Sequence, residues 1–353
     1  RFDVINVIGK DEVLTDCPEQ DGKPAYTDKP IVHDYLRMMN EATFGQDDSF
    51  MTVGEMSATT IENCILYTAP DRQELSMAFN FHHLKVDYEA GQKWTLKAFD
   101  FEELKRLFHT WGKEMSDHDG WSALFLNNHD QPRALNRFVD VENFHNEGAT
   151  MLAASIHLSR GTPYIYMGEE IGMVDPDYDS MEDYVDVESL NAYQSLLTEG
   201  KSPEAAFRII KAKSRDNSRT PMQWDDSVNA GFTTGTPWLK AGKSYPLINV
   251  ENEIKSPIFT FYQKLIALRK ELPIIAEGSY QPAYEDSPQV YAFEREWQGQ
   301  KLLVLNNFYM DPITVDILPD YQTGQVLLSN YGRTQIDHIL TLQPYETLAI
   351  LVN

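Results

Sequence analysis

Short apolar runs rich in β-branched and aromatic residues alternate along the first half of the chain with longer segments of helical periodicity. Alternation of this kind is typical of βα repeats, in which helices join the strands of a parallel sheet. The pattern predicts five strands, at residues 2–5, 51–53, 77–81, 123–126 and 163–166. Apolar residues spaced three or four apart predict helices at residues 30–39, 101–115, 149–158 and 257–270.

Polar residues follow each predicted strand directly. They are Asn6, Glu55, His82 with His83, Asn127 to Asp130, and Glu169 with Glu170. Because the carboxyl ends of parallel strands meet at one edge of a sheet, we expect these side chains to share that edge. The sequence therefore places a functional site there.

From about residue 275 the period of the pattern changes to two. Alternating runs at residues 290–293, 301–305, 314–318, 325–328 and 347–352 predict short antiparallel strands and a small β-sandwich. A long polar and aromatic excursion precedes them, at about residues 171–250. We therefore expect an α/β domain over residues 1–272, including the excursion, and an all-β domain over residues 273–353.

The chain is strongly acidic, with 30 Lys and Arg against 54 Asp and Glu in 353 residues and a formal net charge of -24. The sequence has no basic cluster for nucleic acid or an anionic membrane, and no apolar run of 18 residues for a bilayer. Cys17 and Cys64 are too few for a disulfide framework, so we expect inert thiols in a reducing cytoplasm.

Three carboxylates, Asp3, Glu55 and Asp130, stand at or just beyond the ends of predicted strands. Two carboxyl groups at one site support glycoside cleavage, because the oxocarbenium-like transition state needs an anion and the leaving oxygen needs a proton. Each acid alone could instead cap the next helix. Three together, with Arg1 beside Asp3 and His129 beside Asp130, favour a catalytic site.

Six strings occur in order along the chain: RFDVIN, TVGEM, NNHDQPR, GTPYIYMGEE, DVESLN and SRDNSRTPMQWD. Together they resemble the oligo-1,6-glucosidase subfamily of glycoside hydrolase family 13, and the resemblance covers essentially the whole chain. It implies that Asp3 is the nucleophile and Glu55 the general acid and base. Asp130 would be the third carboxylate, which binds the sugar hydroxyls and stabilises distortion of the ring.

The resemblance also implies binding residues and a mechanism. Arg1 and His129 would bind the glucosyl unit, and Arg215 and Arg219 match loop arginines that reach the non-reducing glucose. Hydrolysis would proceed by double displacement with retention, with the catalytic carboxyl groups about 5 to 5.5 Å apart. The charge of the nucleophile should raise the pKa of Glu55 and give a bell-shaped pH profile.

The segment FHHLKVDYEAGQKW follows the third predicted strand and contains His82, His83, Lys85 and Lys93. With TVGEMSATT and DVESLN, it is most similar to the cytoplasmic phospho-α-glucosidases that hydrolyse trehalose 6-phosphate. A dianionic sugar is repelled at long range by a chain of charge -24, so a local cationic cluster is needed. Lys85 is the preferred phosphate ligand, with Lys93, His82 and His83 as lesser candidates. The alternative is a solvated loop with a core histidine.

Two other functions stay open. An oligo-1,6-glucosidase or dextran glucosidase would share the catalytic residues but not the cationic cluster. A non-catalytic glycosidase-like binding subunit would share the fold and usually lack the acids. We expect no cofactor and no metal ion, and we interpret four loop acids as solvated: Glu169, Glu170, Asp186 and Glu188.

The resemblance implies that the α/β domain is the C-terminal part of a (β/α)8 TIM barrel, about strands 4 to 8. A closed barrel needs eight strands, so we expect the first three to precede Arg1 in a longer protein. An open sheet exposes its edges and an apolar face. We therefore expect the missing N-terminal part of the barrel, or a second copy of the chain, as a partner, and little turnover by this chain alone.

Overall fold

The computed structural model describes residues 1–13, 15–16 and 22–353. The described part of the first half contains a parallel sheet with strands β1 to β4. These are Val53–Glu55, Met77–Phe79, Ala123–Leu124 and Thr162–Pro163. β1 pairs with β2 and β3 with β4, and a bridge between Ala78 and Ser122 joins the two pairs. Because every pairing is parallel, the carboxyl ends of the strands lie at the same edge, as the sequence predicts.

The first predicted strand, at residues 2–5, joins this sheet only at Phe2. The backbone of Phe2 makes two hydrogen bonds with β1, both 2.9 Å long. The chain then leaves the sheet, because Val4 takes a φ of 43° and the side chain of Asn6 binds the backbone of Ser57 as both donor and acceptor. The prediction is therefore correct in position, but wrong in extent.

Helices α1 to α5 connect and cover these strands. They are Pro30–Ala42, Ile61–Thr68, Phe101–Asp117, Ala134–Phe138 and Val141–His157. The N-cap of α3 is Asp100, whose carboxylate accepts a hydrogen bond from Glu103 N and so satisfies a free amide of the first turn. The helices predicted at residues 30–39 and 101–115 are confirmed. The helix predicted at residues 149–158 begins earlier, and α2 and α4 were not predicted.

The chain has two cysteines, Cys17 and Cys64. Cys17 lies outside the described residues. Cys64, in α2, is a buried free thiol, and burial raises its pKa to about 12. A thiol with so high a pKa is a poor nucleophile, which agrees with the expectation of an inert cysteine at this position.

The excursion at residues 171–250 is more ordered than its polar pattern indicates. It contains α6, Val187–Thr198, and α7, Pro203–Lys213, and ends in α8, Val250–Glu253. α6 and α7 enclose a small core with Tyr178 and Tyr184. Two further helices, α9 at Pro257–Glu271 and α10 at Pro273–Glu277, lead to the C-terminal region, and α9 confirms a predicted helix. Within the described residues, no helix combines the length and apolar content that a bilayer crossing needs.

The described C-terminal region is antiparallel, with strands β5 to β11. They are Gln281–Ala283, Val290–Trp297, Gln300–Asn307, Ile313–Asp316, Gln325–Ser329, Ile339–Leu342 and Thr347–Val352. One sheet has the order β5-β6-β7-β11-β9, and β8 pairs with β10 in a second. Along β7, Leu302 and Val304 face the helices, whereas Leu303 and Leu305 face the smaller sheet. The predicted antiparallel domain is confirmed, although β5 and β10 were not predicted.

Arg295, on β6, joins the large sheet to the helices. The residue is fully buried, and its guanidinium donates to four carbonyl groups, those of Leu158, Ile275, Gly278 and Ser279, at 2.7 to 2.9 Å. The first of these carbonyls follows the end of α5, where helical carbonyls lack partners. The positive charge also lies favourably at that helix end.

Candidate active site

The carboxyl ends of the parallel strands surround a cavity of about 280 Å³. Its apolar walls include Phe79, Phe125 and Tyr164, from the ends of β2, β3 and β4. Glu55, the last residue of β1, and Asp130, in the loop after β3, place carboxyl groups on the same cavity. Acids and aromatic rings around one small cavity suit a ligand that has both polar edges and apolar faces.

Asp3 is connected to this cavity through Arg1, although it is not among the described residues that line it. The side chain of Asp3 is 83% exposed, and Arg1 Nη2 lies 3.8 Å from its Oδ1. The same guanidinium donates to Glu55 Oε2, whose side chain is only 13% exposed. Asp3, Glu55 and Arg1 therefore form one connected group at the strand ends.

The environment of Glu55 favours its protonated form. Burial is the main cause that raises its pKa, and a hydrogen bond to Asp3 and the negative charge of Asp3 raise it further. Arg1 acts in the opposite direction, both as a hydrogen-bond donor and as a positive charge. A carboxyl group that retains its proton next to an ionised one can act as a general acid.

Asp130 is bound by two arginines and a histidine. Arg219 Nη2 donates to its Oδ1 at 2.8 Å, and Arg215 Nη1 does so at 3.3 Å. His129 Nε2 lies 3.4 Å from the other carboxylate oxygen. The structure thus brings both loop arginines to Asp130. The two charged donors fix the orientation of the carboxylate.

Two of the acids interpreted as solvated are partners of these cations, so that interpretation is wrong for them. Asp186 is buried; it caps α6 through Ser189 N and accepts from Arg215 Nε at 2.7 Å. Glu188 Oε2 accepts from Lys93 Nζ at 2.9 Å and lies 3.7 Å from Arg215 Nε. A continuous series of ion pairs therefore runs from Asp130 through Arg215 and Glu188 to Lys93.

Glu169 is also not a solvated acid. Burial raises its pKa to about 7, with a smaller contribution from the charge of Glu170. Its carboxyl group accepts from Asn127 Nδ2 at 2.7 Å and from Tyr262 OH at 3.3 Å. Asn127 Oδ1 in turn accepts from Ala134 N at 2.8 Å. Glu169 therefore holds the beginning of the loop that carries Asp130.

The four predicted phosphate ligands do not form one cluster at the cavity. His83 is buried, its Nε2 lies 2.9 Å from Phe125 O, and burial lowers its pKa to about 3, so it carries no positive charge at neutral pH. His82 Nε2 lies 2.8 Å from Thr59 O. Lys85 is exposed, and among the described residues none of the four lines the cavity. Among the described residues, Lys93 is the one of the four that forms an ion pair leading to the site, through Glu188.

Sequence reasoning missed Arg133, which contacts the wall of the cavity. It is buried, donates from Nη1 to Met167 O at 2.6 Å, and its guanidinium lies 5.2 Å from the ring centre of Tyr166, a residue of the cavity wall. Burial lowers the pKa of Arg133, against the charges of nearby acids. Its place in the string NNHDQPR was a signal that could have identified it.

Replacing Arg1 by Gln should move the alkaline limb of the pH profile of kcat/KM to higher pH. Activity that needs protonated Glu55 is lost as the pH rises through its pKa. Arg1 lowers that pKa, so removal of its charge raises the pKa and extends activity upward. Arg1→Lys, which keeps the charge, is the matched control. An alkaline limb that stays in place in Arg1→Gln, or moves down, would contradict this account.

The chain matches the model of the alpha-amylase catalytic domain over residues 1–278. It belongs to the alpha-amylase family. Residues 290–348 match the model of the alpha-amylase SusG C-terminal domain, which agrees with the antiparallel region of the structure.

Several relatives within the alpha-amylase family are similar over nearly the whole chain. The trehalose-6-phosphate hydrolase of Bacillus subtilis (strain 168) is 46% identical over 99% of this chain and 63% of its own length. The oligo-1,6-glucosidase of Parageobacillus thermoglucosidasius is 43% identical over 98% of this chain and 64% of its own length. A crystal structure of Bacillus licheniformis trehalose-6-phosphate hydrolase superimposes with a TM-score of 0.95 at 47% identity, covering 99% of this chain and 64% of that one. The chain thus spans just under two thirds of the length of these relatives.

Proposed function

We propose that the full-length protein is a retaining α-glucosidase that hydrolyses trehalose 6-phosphate to glucose and glucose 6-phosphate. The observation that carries this proposal is the pairing of Glu55, whose pKa is raised beside Asp3, with the arginine-bound Asp130 on the same cavity. Relatives named as trehalose-6-phosphate hydrolases, at 45 to 46% identity, support this substrate.

The parallel strands support a finer statement of the fold. We infer that the Phe2 segment and β1 to β4 are about strands 4 to 8 of a (β/α)8 barrel, because they pair in chain order and in parallel. Helices between the strands cover the outside, and the candidate acids lie at the carboxyl ends, where barrels of this type place their active sites.

We infer the chemistry from the family to which the chain belongs and from the position of Glu55 and Asp130 on one cavity. Asp3 attacks the anomeric carbon while Glu55 donates its proton to the departing oxygen, which gives a glycosyl ester of Asp3. Glu55, now ionised, removes a proton from water, and that water cleaves the ester with net retention. Asp130 accepts hydrogen bonds from the sugar hydroxyls, and Arg215 and Arg219 hold it in place.

The phosphate is assigned to Lys93 rather than to Lys85. Lys93 is linked to Asp130 by two intervening side chains, and its ammonium lies 4.8 Å from the ring centre of Trp94. A phosphate on the second glucose has to bind a short distance beyond the cavity that holds the first. Lys85 is exposed on the short helical turn His82–Lys85 and has no such link within the described part of the chain.

Lys93→Ala should raise the ratio of KM for trehalose 6-phosphate to KM for p-nitrophenyl α-glucoside by about tenfold or more, since a hydrogen bond to a charged group contributes about 1.5 to 3 kcal/mol. Lys85→Ala removes the same charge from the neighbouring turn and should leave this ratio near that of the unmodified protein. Steady-state kinetics on both substrates measure it. A larger rise in Lys85→Ala would restore the original assignment.

The substrate itself is tested by hydrolysis assays of the full-length protein. Trehalose 6-phosphate and isomaltose are supplied at equal concentrations, and released glucose is measured. We expect a much higher kcat/KM for the phosphorylated sugar. A preference for isomaltose would instead assign an oligo-1,6-glucosidase activity, the name of several similar relatives. No hydrolysis of either would refute both.

A further inference from the structure

Glu188 occupies an unusual position next to the proposed phosphate site. It lies in the first turn of α6, and its Oε2 is 2.9 Å from Lys93 Nζ and 3.7 Å from Arg215 Nε. The side chain is 40% exposed, whereas that of Lys93 is only 13% exposed. An anion therefore lies between two cations, with its outer side open to solvent and to a ligand.

Both cations have contacts besides Glu188. Arg215 already binds Asp186 at 2.7 Å and Asp130 at 3.3 Å. Lys93 lies against the indole ring of Trp94, which attracts an ammonium independently of any carboxylate. The cap of α6 is supplied by Asp186. Glu188 can therefore have a role other than positioning Lys93 and Arg215.

A phosphate monoester is chemically suited to the place that Glu188 fills. It carries a charge of about -1.5 to -2 and three strong acceptor oxygens, so it can pair with Lys93 better than one carboxylate can. While Glu188 stays charged nearby, it also repels the phosphate. A neutral sugar leaves the pair of Lys93 and Glu188 intact, whereas a phosphorylated sugar has to displace it.

We propose that Glu188 is a specificity-determining residue that occupies the phosphate position in the free protein and is displaced from Lys93 by the phosphorylated sugar. This inference rests on the proposed function. By competing for Lys93, Glu188 weakens the binding of free phosphates, including the product glucose 6-phosphate, and so favours its release. Its exposed outer side gives the carboxylate room to move away.

Glu188→Gln tests this role, because it keeps the size of the side chain and removes the charge. We expect the ratio of KM for trehalose 6-phosphate to KM for p-nitrophenyl α-glucoside to fall about fivefold to tenfold, as expected when one like charge at close range is removed. The inhibition constant of glucose 6-phosphate, measured against p-nitrophenyl α-glucoside, should fall by a similar factor. Glu182→Gln, an exposed acid of the same excursion, should change neither value.

The outcomes separate the two proposals. If the wild-type protein hydrolyses p-nitrophenyl α-glucoside but not trehalose 6-phosphate, the proposed substrate is refuted. The inhibition constant of glucose 6-phosphate then still tests the role of Glu188. An unchanged or higher inhibition constant in Glu188→Gln overturns the inference whichever substrate is correct. A loss of kcat on both substrates with no change in the KM ratio would mean that Glu188 positions Arg215 instead, which also overturns it.

Discussion

Replacing Glu55 by Gln should lower kcat for trehalose 6-phosphate by about 10²-fold to 10⁴-fold, the usual contribution of a positioned general acid. Glutamine has no acidic proton for the departing glucose 6-phosphate oxygen. p-Nitrophenolate leaves without protonation, so the first step on p-nitrophenyl α-glucoside should be much less affected. The later attack of water still needs a base, and a burst of p-nitrophenol followed by slow turnover is therefore expected in stopped-flow measurements.

Asp3→Asn is the comparison that separates the two roles. Without a nucleophile no glycosyl ester forms, so both substrates should lose activity and the burst should disappear. Asp48→Asn, an exposed acid before β1, controls for the loss of one charge. The assignment of roles fails if Glu55→Gln shows no burst while Asp3→Asn does, or if either variant keeps wild-type kcat on trehalose 6-phosphate.

Replacing Arg295 by Lys should lower the free energy of unfolding by about 3 to 5 kcal/mol, because two or more of its buried carbonyl partners lose their donor. Lysine keeps the charge but cannot reach the four carbonyls that the guanidinium binds. Those that lose their donor remain buried, and each costs about 1 to 3 kcal/mol. Urea unfolding followed by fluorescence measures the change.

Arg106→Lys is the matched control for this substitution. Arg106 forms an exposed pair with Glu103 on α3, and such pairs contribute about 0 to 1 kcal/mol. The two variants make the same chemical change, one in the interior and one at the surface. Equal midpoints of urea unfolding for the two variants would show that the carbonyl contacts of Arg295 add nothing to stability.

The sequence predicts the order of the parallel strands and the place of the acids because both depend on local pattern. A polar residue directly after an apolar strand lies at the carboxyl edge whatever the details of packing, so Glu55 and Asp130 could be placed together in advance. Along β7, side chains alternate between the two cores because successive residues of a strand face opposite sides. The ends of strands are less predictable, as Val4 and Asn6 show, since long-range hydrogen bonds decide where pairing stops.

The contacts of the charged loops could not be predicted from pattern. His83 and Lys85 are neighbours in a polar segment, yet one is buried behind Phe125 and the other is exposed. Asp186 and Glu188 look like surface acids, and only the packing of α6 beside the cavity shows that they bind Arg215 and Lys93. Charge and spacing identify which residues can form ion pairs, whereas tertiary structure decides which do.

The guanidinium of Arg295 has a consequence for how the polypeptide could be divided. It originates in the antiparallel region, but two of its hydrogen bonds end on backbone of the helical region, at Leu158 after α5 and at Ile275 in α10. Cleavage near residue 272 would separate the cation from the carbonyl of Leu158, whereas Ile275, Gly278 and Ser279 would stay on its own piece. The contact that such a cut breaks is therefore the one between β6 and the end of α5, which leaves the Leu158 carbonyl without its donor.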